Sequence, residues 1–176
     1  MEVYLIRHTQ PVVEKGLIYG RTDVPLADSF TIEKDNILKQ LPEAFDIVYS
    51  SPSLRCTRLA ETISAQYLKD ESLYELNFGE WEGQTWDTIN RQESETWMND
   101  FVNLSPPKGE TMKEMESRVM EFWNRLLKQP FQNAAIVTHG GVIRILLAYY
   151  RSVALKDSFT IPVAMGEVFK LPVSSL

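Results

Sequence analysis

The 176-residue sequence has little of what marks several classes of protein. Its one cysteine, Cys56, excludes a disulfide within the chain and any paired-cysteine metal or redox motif. No apolar run is long enough to cross a bilayer, and the opening residues MEVYLIRH are too short an apolar stretch for a signal peptide. We therefore expect a reducing, cytoplasmic location and no membrane partner.

Basic residues are also scarce. The chain carries 18 Lys and Arg against 24 Asp and Glu, a formal net charge of −6. Without a basic stripe to displace counterions, general nucleic-acid binding is not expected. A small anionic substrate remains compatible with this charge, because a few clustered arginines can reverse the local field.

What is present indicates one compact α/β domain over residues 1–176. Short apolar runs predict buried strands at residues 3–6, 45–49, 134–137 and 168–171. Helical spacing predicts helices at 31–41, from 54 towards 67 with Ser53 as N-cap, at 111–129, and at 142–150. Residues 9–29 form a long loop. Strands alternating with helices predict a three-layer α/β/α sandwich with a mainly parallel sheet.

Polar clusters follow three of these strands. They are Arg7-His8-Thr9, Ser50-Ser51-Pro52 leading to Arg55, and Thr138-His139-Gly140-Gly141. Ligands of open α/β sheets bind beyond the carboxyl ends of the strands. A lone histidine there is more often structural, but the only two histidines of the chain occupy equivalent places, which favours a shared site.

These residue types suit phosphoryl transfer. A neutral histidine can act as nucleophile, and arginine forks match the equatorial oxygens of a transferring phosphoryl group. Gly140 and Gly141 would let the backbone come close to a ligand. A carboxylic acid must also protonate the leaving oxygen, and the segment 75–83 offers Glu75, Glu80 and Glu82.

Five blocks in order along the chain resemble the histidine phosphatase superfamily, the phosphoglycerate-mutase-like proteins. They are Leu5-Ile6-Arg7-His8-Thr9, Gly20-x-x-Asp23-x-Pro25-Leu26, Ser50-Ser51-Pro52-x-x-Arg55, Glu75-x-x-x-Gly79-x-Trp81-Glu82-Gly83 and Thr138-His139-Gly140-Gly141. The resemblance implies a phosphoglycerate-mutase-like fold and a metal-independent reaction that needs no cofactor.

The resemblance also implies residue roles. His8 would become phosphohistidine, and Arg7, Arg55 and His139 would bind the phosphate. Glu75 would be the proton donor, with Glu80 and Glu82 as alternatives. Gly140 would present its N–H to the phosphate, and Thr9, Tyr19 and Gly20 would join the substrate site.

Thr9-Gln10-Pro11 after the histidine departs from the usual RHGET, and the asparagine often found in the following loop has no counterpart here, although Glu14 lies nearby. The form RHTxPxxxxGxxYGxxD resembles the branch of the family that acts on α-ribazole-5′-phosphate in cobalamin assembly. That resemblance implies a small phosphorylated, nucleoside-like substrate.

Other residues have simpler interpretations. Arg144 is interpreted as a structural anchor, Cys56 as a small buried hydrophobe and Trp123 as core. Trp86 and Trp97 fall in residues 84–108, a candidate lid-like insertion, and one of them is expected to touch substrate. The acidic residues Glu80, Glu82 and Asp87 are interpreted as a solvated face rather than a metal site.

Four other functions stay open at this point. The same scaffold could carry a broad-specificity phosphatase or a mutase. The domain could bind phosphorylated ligands without turnover, or it could be a metal-dependent hydrolase.

Overall fold

The computed structural model describes residues 1–173 and contains one five-stranded sheet in the order β3-β2-β4-β1-β5. The strands are β1 (Glu2–Arg7), β2 (Ile47–Ser50), β3 (Leu68–Lys69), β4 (Asn133–Thr138) and β5 (Val168–Pro172). β1, β2, β3 and β4 run parallel to one another, while β5 pairs antiparallel with β1 at one edge. The predicted α/β fold with a mainly parallel sheet is confirmed.

Alternation along the central strands creates a core on each face of the sheet. Val3 and Leu5 of β1 pack into one core, and Tyr4 and Ile6 pack into the other. Successive side chains of a strand point to opposite faces, so both faces must be covered. The helices that cover them are α1 (Phe30–Leu38), α2 (Leu54–Ile63), α3 (Arg91–Asn99), α4 (Met112–Leu127) and α5 (Gly140–Tyr150). Residues of α4 and α5 belong to the first core and residues of α1 and α2 to the second.

Helix α4 confirms the clearest helical pattern in the sequence. Thr111 caps it in a capping box with Glu114, in which each side chain binds the other's main-chain N–H. One face of this helix is buried, and it consists of Met112, Met115, Val119, Phe122, Trp123 and Leu126.

Helix α2 differs from its prediction in two ways. Leu54 is 39% exposed, and the helix ends at Ile63, before Tyr67. Ser53 occupies the N-cap position but makes no side-chain cap bond. The Leu54 N–H instead donates to Asp23 Oδ1 at 2.7 Å, so the long loop supplies the cap.

The loop at residues 9–29 is confirmed as irregular and is tied down at isolated bridges. Pro11 pairs with Leu26, and Leu17 pairs with Thr85 of the 84–108 segment. Both segments lie against the carboxyl end of the sheet, where Leu17 and Trp86 share one cavity. No helix within residues 1–173 is both long and apolar enough to cross a membrane.

Candidate active site

The three polar clusters come together beside a cavity of about 170 Å³ beyond the carboxyl ends of β1, β2 and β4. β1 and β4 are in parallel register with Arg7 opposite Thr138, so the residues that follow them emerge side by side. Four of the predicted catalytic residues line this cavity: Arg7, His8, Arg55 and Glu75.

His8 is buried and held in one tautomer. Its Nδ1 lies 2.8 Å from the Thr9 carbonyl oxygen, which can only accept, so Nδ1 carries the proton. Arg55 Nε–H donates to Nε2 at 3.3 Å. Burial, then the charge of Arg55 and with a smaller effect that of Arg7, lowers the pKa of His8 to about 3, although the Thr9 bond opposes this. Nε2 is therefore a neutral nitrogen with a lone pair, as a nucleophile requires.

Arg55 is a fully buried cation surrounded by neutral acceptors. Its guanidinium donates to Thr22 O at 3.0 Å, to Gly20 O at 2.6 Å and to His139 Nδ1 at 3.1 Å. No carboxylate within residues 1–173 forms an ion pair with it. A buried charge is costly without a partner of opposite sign, so this position favours an anionic ligand.

His139 lies behind Arg55 and not on the cavity wall. Because Arg55 donates to its Nδ1, its Nε2 carries the proton and donates to Ser51 Oγ at 2.8 Å. Burial, followed by the charge of Arg55, lowers the pKa of His139 well below its ordinary value. The structure thus places a neutral ring at 5.2 Å from the His8 ring, in contact with the arginine. A direct phosphate contact of His139 stays a prediction.

Arg7 and Glu75 complete the cavity end that holds His8. Arg7 Nη1 donates to Val163 O at 2.5 Å, while its buried Nε has no partner among residues 1–173. Burial lowers the pKa of Arg7, and the charge of Glu75 opposes that shift. The Glu75 carboxylate accepts from the N–H groups of Leu76 at 2.9 Å and Gly141 at 3.1 Å. One acid and two cations therefore face the nucleophile.

The alternative acids are engaged elsewhere. Glu80 is exposed and forms an ion pair with Lys108. Glu82 accepts N–H bonds from Arg21 at 3.0 Å and Phe78 at 3.2 Å, as well as from Thr22. Of the three candidates, only Glu75 lines the cavity.

Comparison with known proteins gives the family. The model of the histidine phosphatase superfamily (branch 1) matches residues 3–174. The chain belongs to the histidine phosphatase superfamily. Members named among its relatives are phosphatases and mutases.

Individual relatives of this histidine phosphatase carry different names. A Hydrogenobacter thermophilus protein named "Putative phosphoserine phosphatase 2" is 32% identical over 90% of this chain and 83% of its own length. An adenosylcobalamin/α-ribazole phosphatase of Escherichia coli is 31% identical over 84% of this chain and 78% of its own length. The crystal structure of an α-ribazole phosphatase from Shigella flexneri superposes with a TM-score of 0.89 at 26% identity, covering 99% of this chain and 91% of that one.

The remaining predicted substrate residues of this histidine phosphatase fall in two groups. Tyr19 and Gly20 line the cavity, and the Arg55 guanidinium lies 5.1 Å from the centre of the Tyr19 ring. Thr9 and Gly140 do not line it. Thr9 is fully buried, and its hydroxyl has no partner in the described part of the chain. The N–H of Gly141, not that of Gly140, binds a site residue, Glu75.

Gly140 has a different structural role. A Cβ there would lie 2.9 Å from Arg144 Nη1 and 3.2 Å from Arg7 Cζ. Two guanidinium groups therefore approach each other over this glycine, and a side chain would push them apart.

Arg144 lines the cavity of this histidine phosphatase, and the sequence interpretation as an anchor covers only part of its contacts. Its Nε donates to Ile161 O at 3.0 Å, and its guanidinium lies 5.7 Å from the centre of the Phe159 ring. Phe159 also lines the cavity and was missed in the sequence. For Arg144 the sequence does contain a signal. It lies one helical turn after Gly140 and therefore on the same face of α5, towards the site.

The aromatic and sulfur residues are placed as follows. Trp86 lines the cavity, whereas Trp97 is 7% exposed and packs against Trp86 with ring centroids 5.9 Å apart. Trp123 is core, as predicted. Cys56 is fully buried and burial raises its pKa to about 12, so it is a packed thiol and not a thiolate nucleophile. Within residues 1–173, no three His, Cys, Asp or Glu side chains are grouped to hold a metal ion.

Proposed function

We propose that this chain is a phosphomonoesterase that transfers the phosphoryl group first to His8 and then to water. One observation carries the proposal. A neutral, tautomer-fixed His8 shares a small cavity with a fully buried, unneutralised Arg55 and with the carboxyl group of Glu75. These are the nucleophile, the anion site and the acid that phosphoryl transfer through histidine requires.

In the first step, His8 Nε2 forms a bond to phosphorus while the bond from phosphorus to the ester oxygen breaks. A phosphoryl oxygen takes the Arg55 Nε–H bond that occupies the Nε2 lone pair, which frees that lone pair for attack. Glu75 in its acid form gives its proton to the leaving oxygen. The charge on the equatorial oxygens faces Arg7 and Arg55.

In the second step, Glu75 is a carboxylate and accepts a proton from water. The oxygen of that water bonds to phosphorus, and the bond from phosphorus to Nε2 breaks. Inorganic phosphate leaves, and Glu75 is again protonated. No atom of the protein is changed at the end of the cycle.

α-Ribazole-5′-phosphate is the substrate that we propose. Phe78, Trp86 and Phe159 give the cavity an aromatic wall, and Phe159 is half exposed at its mouth. A flat base can pack on such rings. The cavity is smaller than the roughly 300–1,000 Å³ usual for ligand pockets, so the base of this substrate would lie against Trp86 or Phe159 at the mouth. The α-ribazole phosphatase relatives add to this support.

Phosphoserine is the second candidate, and Arg144 is the observation that favours it. Its guanidinium lies on the cavity wall. Within residues 1–173 only its Nε donates a hydrogen bond to the main chain, to Ile161 O. Arginine forks bind carboxylates well, and a substrate carboxylate could bind there. The phosphoserine phosphatase named among the relatives is consistent with this alternative.

Two matched substrate pairs decide between these candidates. α-Ribazole-5′-phosphate and ribose-5-phosphate differ by the base, while phosphoserine and phosphoethanolamine differ by the carboxylate. In EDTA, we expect kcat/KM to be about a hundredfold higher for α-ribazole-5′-phosphate than for ribose-5-phosphate. This ratio corresponds to about 2.7 kcal/mol of differential transition-state binding. If only phosphoserine over phosphoethanolamine shows such a ratio, phosphoserine would replace α-ribazole-5′-phosphate as the proposed substrate. Equal rates across all four would indicate a broad-specificity phosphatase.

The other function classes have their own outcomes in the same assay. Activity on p-nitrophenyl phosphate that EDTA abolishes would identify a metal-dependent hydrolase. A folded protein that binds phosphate but hydrolyses nothing would be a binding module. Formation of phosphoglycerate isomers in place of free phosphate would identify a mutase.

The acid role of Glu75 has a separate test. Glu75→Gln should slow ribose-5-phosphate roughly a hundredfold or more and p-nitrophenyl phosphate much less, because nitrophenolate leaves without a proton. Equal slowing of both substrates would remove Glu75 from the proton-donor role. Glu80→Gln is the matched control and should leave both rates unchanged.

A further inference from the structure

The segment that carries Glu75 has almost no secondary structure of its own. Residues 74–78 lie between two short 3₁₀ helices, Glu71–Leu73 and Gly79–Trp81, and pair with no strand. Main-chain polar groups away from water need partners. Several of those partners come from Arg118 of α4 and from Glu110, which precedes that helix.

Arg118 of α4 binds three main-chain carbonyl oxygens at residues 72–75. Its Nη1 donates to Ser72 O at 2.8 Å and Tyr74 O at 2.7 Å, and its Nη2 donates to Glu75 O at 3.1 Å. The other two N–H groups bind Glu110, from Nε at 3.0 Å and from Nη2 at 2.6 Å. All five donors of the guanidinium are used, which a lysine with three donors on one nitrogen cannot reproduce.

Glu110 holds the same segment from the other side. Its Oε1 accepts from the Asn77 N–H at 2.9 Å, and its own N–H donates to Asn77 O at 3.0 Å. Burial opposes ionisation, but the bonds and charge of Arg118, the Asn77 bond and Arg21 together lower the pKa of Glu110. The Arg118 and Glu110 side chains are only 17% and 13% exposed, so solvent screens the pair weakly.

We propose that Arg118 and Glu110 form a positioning clamp, which fixes the main chain of residues 72–77 and so sets the Glu75 carboxyl group against the leaving oxygen. The importance of this clamp for turnover rests on the proposed function. Neither residue lines the cavity, and both act through Glu75. Misplacement of a catalytic group by about 1 Å can cost roughly a hundredfold in rate, so a loosened clamp should mainly affect the step that needs the acid.

Arg118→Lys tests the clamp, and Arg125→Lys is its control. Arg125 lies on the same helix and pairs with Asp70 at 2.9 Å, just before the clamped segment, but within residues 1–173 it makes no hydrogen bond to residues 72–77. We expect Arg118→Lys to lower kcat for ribose-5-phosphate roughly tenfold or more, with KM nearly unchanged and p-nitrophenyl phosphate affected about twofold at most. Adding Glu75→Gln should cost little more, because the two changes disable one function. Arg125→Lys should leave both rates unchanged.

Amide hydrogen exchange gives a readout that does not need turnover. The N–H groups of Leu76 and Asn77 bind Glu75 and Glu110, so Arg118→Lys should speed their exchange roughly tenfold, and Arg125→Lys should not. Unchanged exchange, or equal slowing of the two substrates in Arg118→Lys, would overturn the clamp. Wild-type protein that hydrolyses neither substrate would overturn the proposed function, and exchange would still decide the clamp. Glu110→Gln, which keeps the shape and removes the charge, should change exchange and rates in the same direction and serves if Arg118→Lys does not fold.

Discussion

At the scale of single residues, the environment of His8 decides its chemistry. A histidine in water is partly protonated near neutral pH, whereas burial and two arginines keep this ring neutral, and the Thr9 carbonyl directs the lone pair to Nε2. The same carbonyl fixes the ring without a carboxylate. A carboxylate there would favour the protonated form and weaken the nucleophile.

We predict that His8→Ala lowers kcat by roughly a thousandfold or more without unfolding the protein, because no other described side chain that lines the cavity has a neutral nitrogen with an available lone pair. Acid-labile label from radioactive phosphate ester should appear on wild type and disappear in this variant. Glu75→Gln with p-nitrophenyl phosphate is the positive control and should still be labelled. Label that persists in His8→Ala would assign the nucleophile to another residue.

The residues that meet at the cavity were predictable as far as they follow strands. Arg7, His8, Arg55 and Glu75 were named from the sequence, since strand ends and motif positions point to one edge of the sheet. Phe159 was not, because it comes from a 3₁₀ helix at Leu155–Thr160 whose place over the cavity depends on tertiary packing alone. Such a helix has no apolar periodicity to read.

At the scale of elements, the cap of α2 links the long loop to the arginine site. Asp23 binds the Leu54 N–H, and the neighbouring Thr22 carbonyl accepts from Arg55. The loop thus caps the start of α2 and, at the same place, orients the buried Arg55. Sequence favoured Ser53 as the cap because serine at that position is common, whereas a cap from a residue 31 positions away has no local signal.

We predict that Asp23→Ala lowers the free energy of unfolding by about 1 kcal/mol, the usual cost of a lost helix cap. Ser53→Ala should cost clearly less, since its hydroxyl makes no cap bond. Urea denaturation of both variants against wild type measures the difference. If Ser53→Ala lost more unfolding free energy than Asp23→Ala, Ser53 would be the cap of α2.

Helix α3 and strand β3 were not predicted from the sequence, for different physical reasons. Helix α3 buries only Ser94 and Trp97, so it lacks an apolar stripe, although Asn90 caps it by accepting from two N–H groups. Strand β3 has two residues, both exposed, at the sheet edge. Elements that bury little leave little pattern, whereas the buried central strands were placed to within about two residues.

At the scale of the whole molecule, the parallel sheet brings distant parts of the chain to one edge and buries them there. His8 and His139 lie 131 positions apart in sequence, yet their rings are 5.2 Å apart because β1 and β4 are neighbours in register. The order of the strands and the antiparallel direction of β5 could not be derived from local patterns. They depend on long-range packing of side chains into the two cores, one on each face of the sheet.

This burial makes stability depend on pH. The pKa of His8 is about 3 in the folded chain, and that of His139 lies well below its ordinary value of 6.5. As pH falls below 6.5, the unfolded chain takes up two protons that the folded chain excludes. The free energy of unfolding therefore falls on acidification and recovers above 6.5.

We predict a loss of roughly 4 kcal/mol between pH 7 and pH 5, about 2 kcal/mol for each histidine. Carboxylates titrate mainly below this window, and the chain has no other histidine. Urea denaturation at half-unit steps in phosphate-free buffer measures it, since bound phosphate would stabilise the folded form. His8→Asn removes one of the two groups and should halve the loss. An unchanged loss in that variant would mean that His8 takes up its proton over the same pH range in the folded and unfolded chain, and the lowered pKa of His8 would then be wrong.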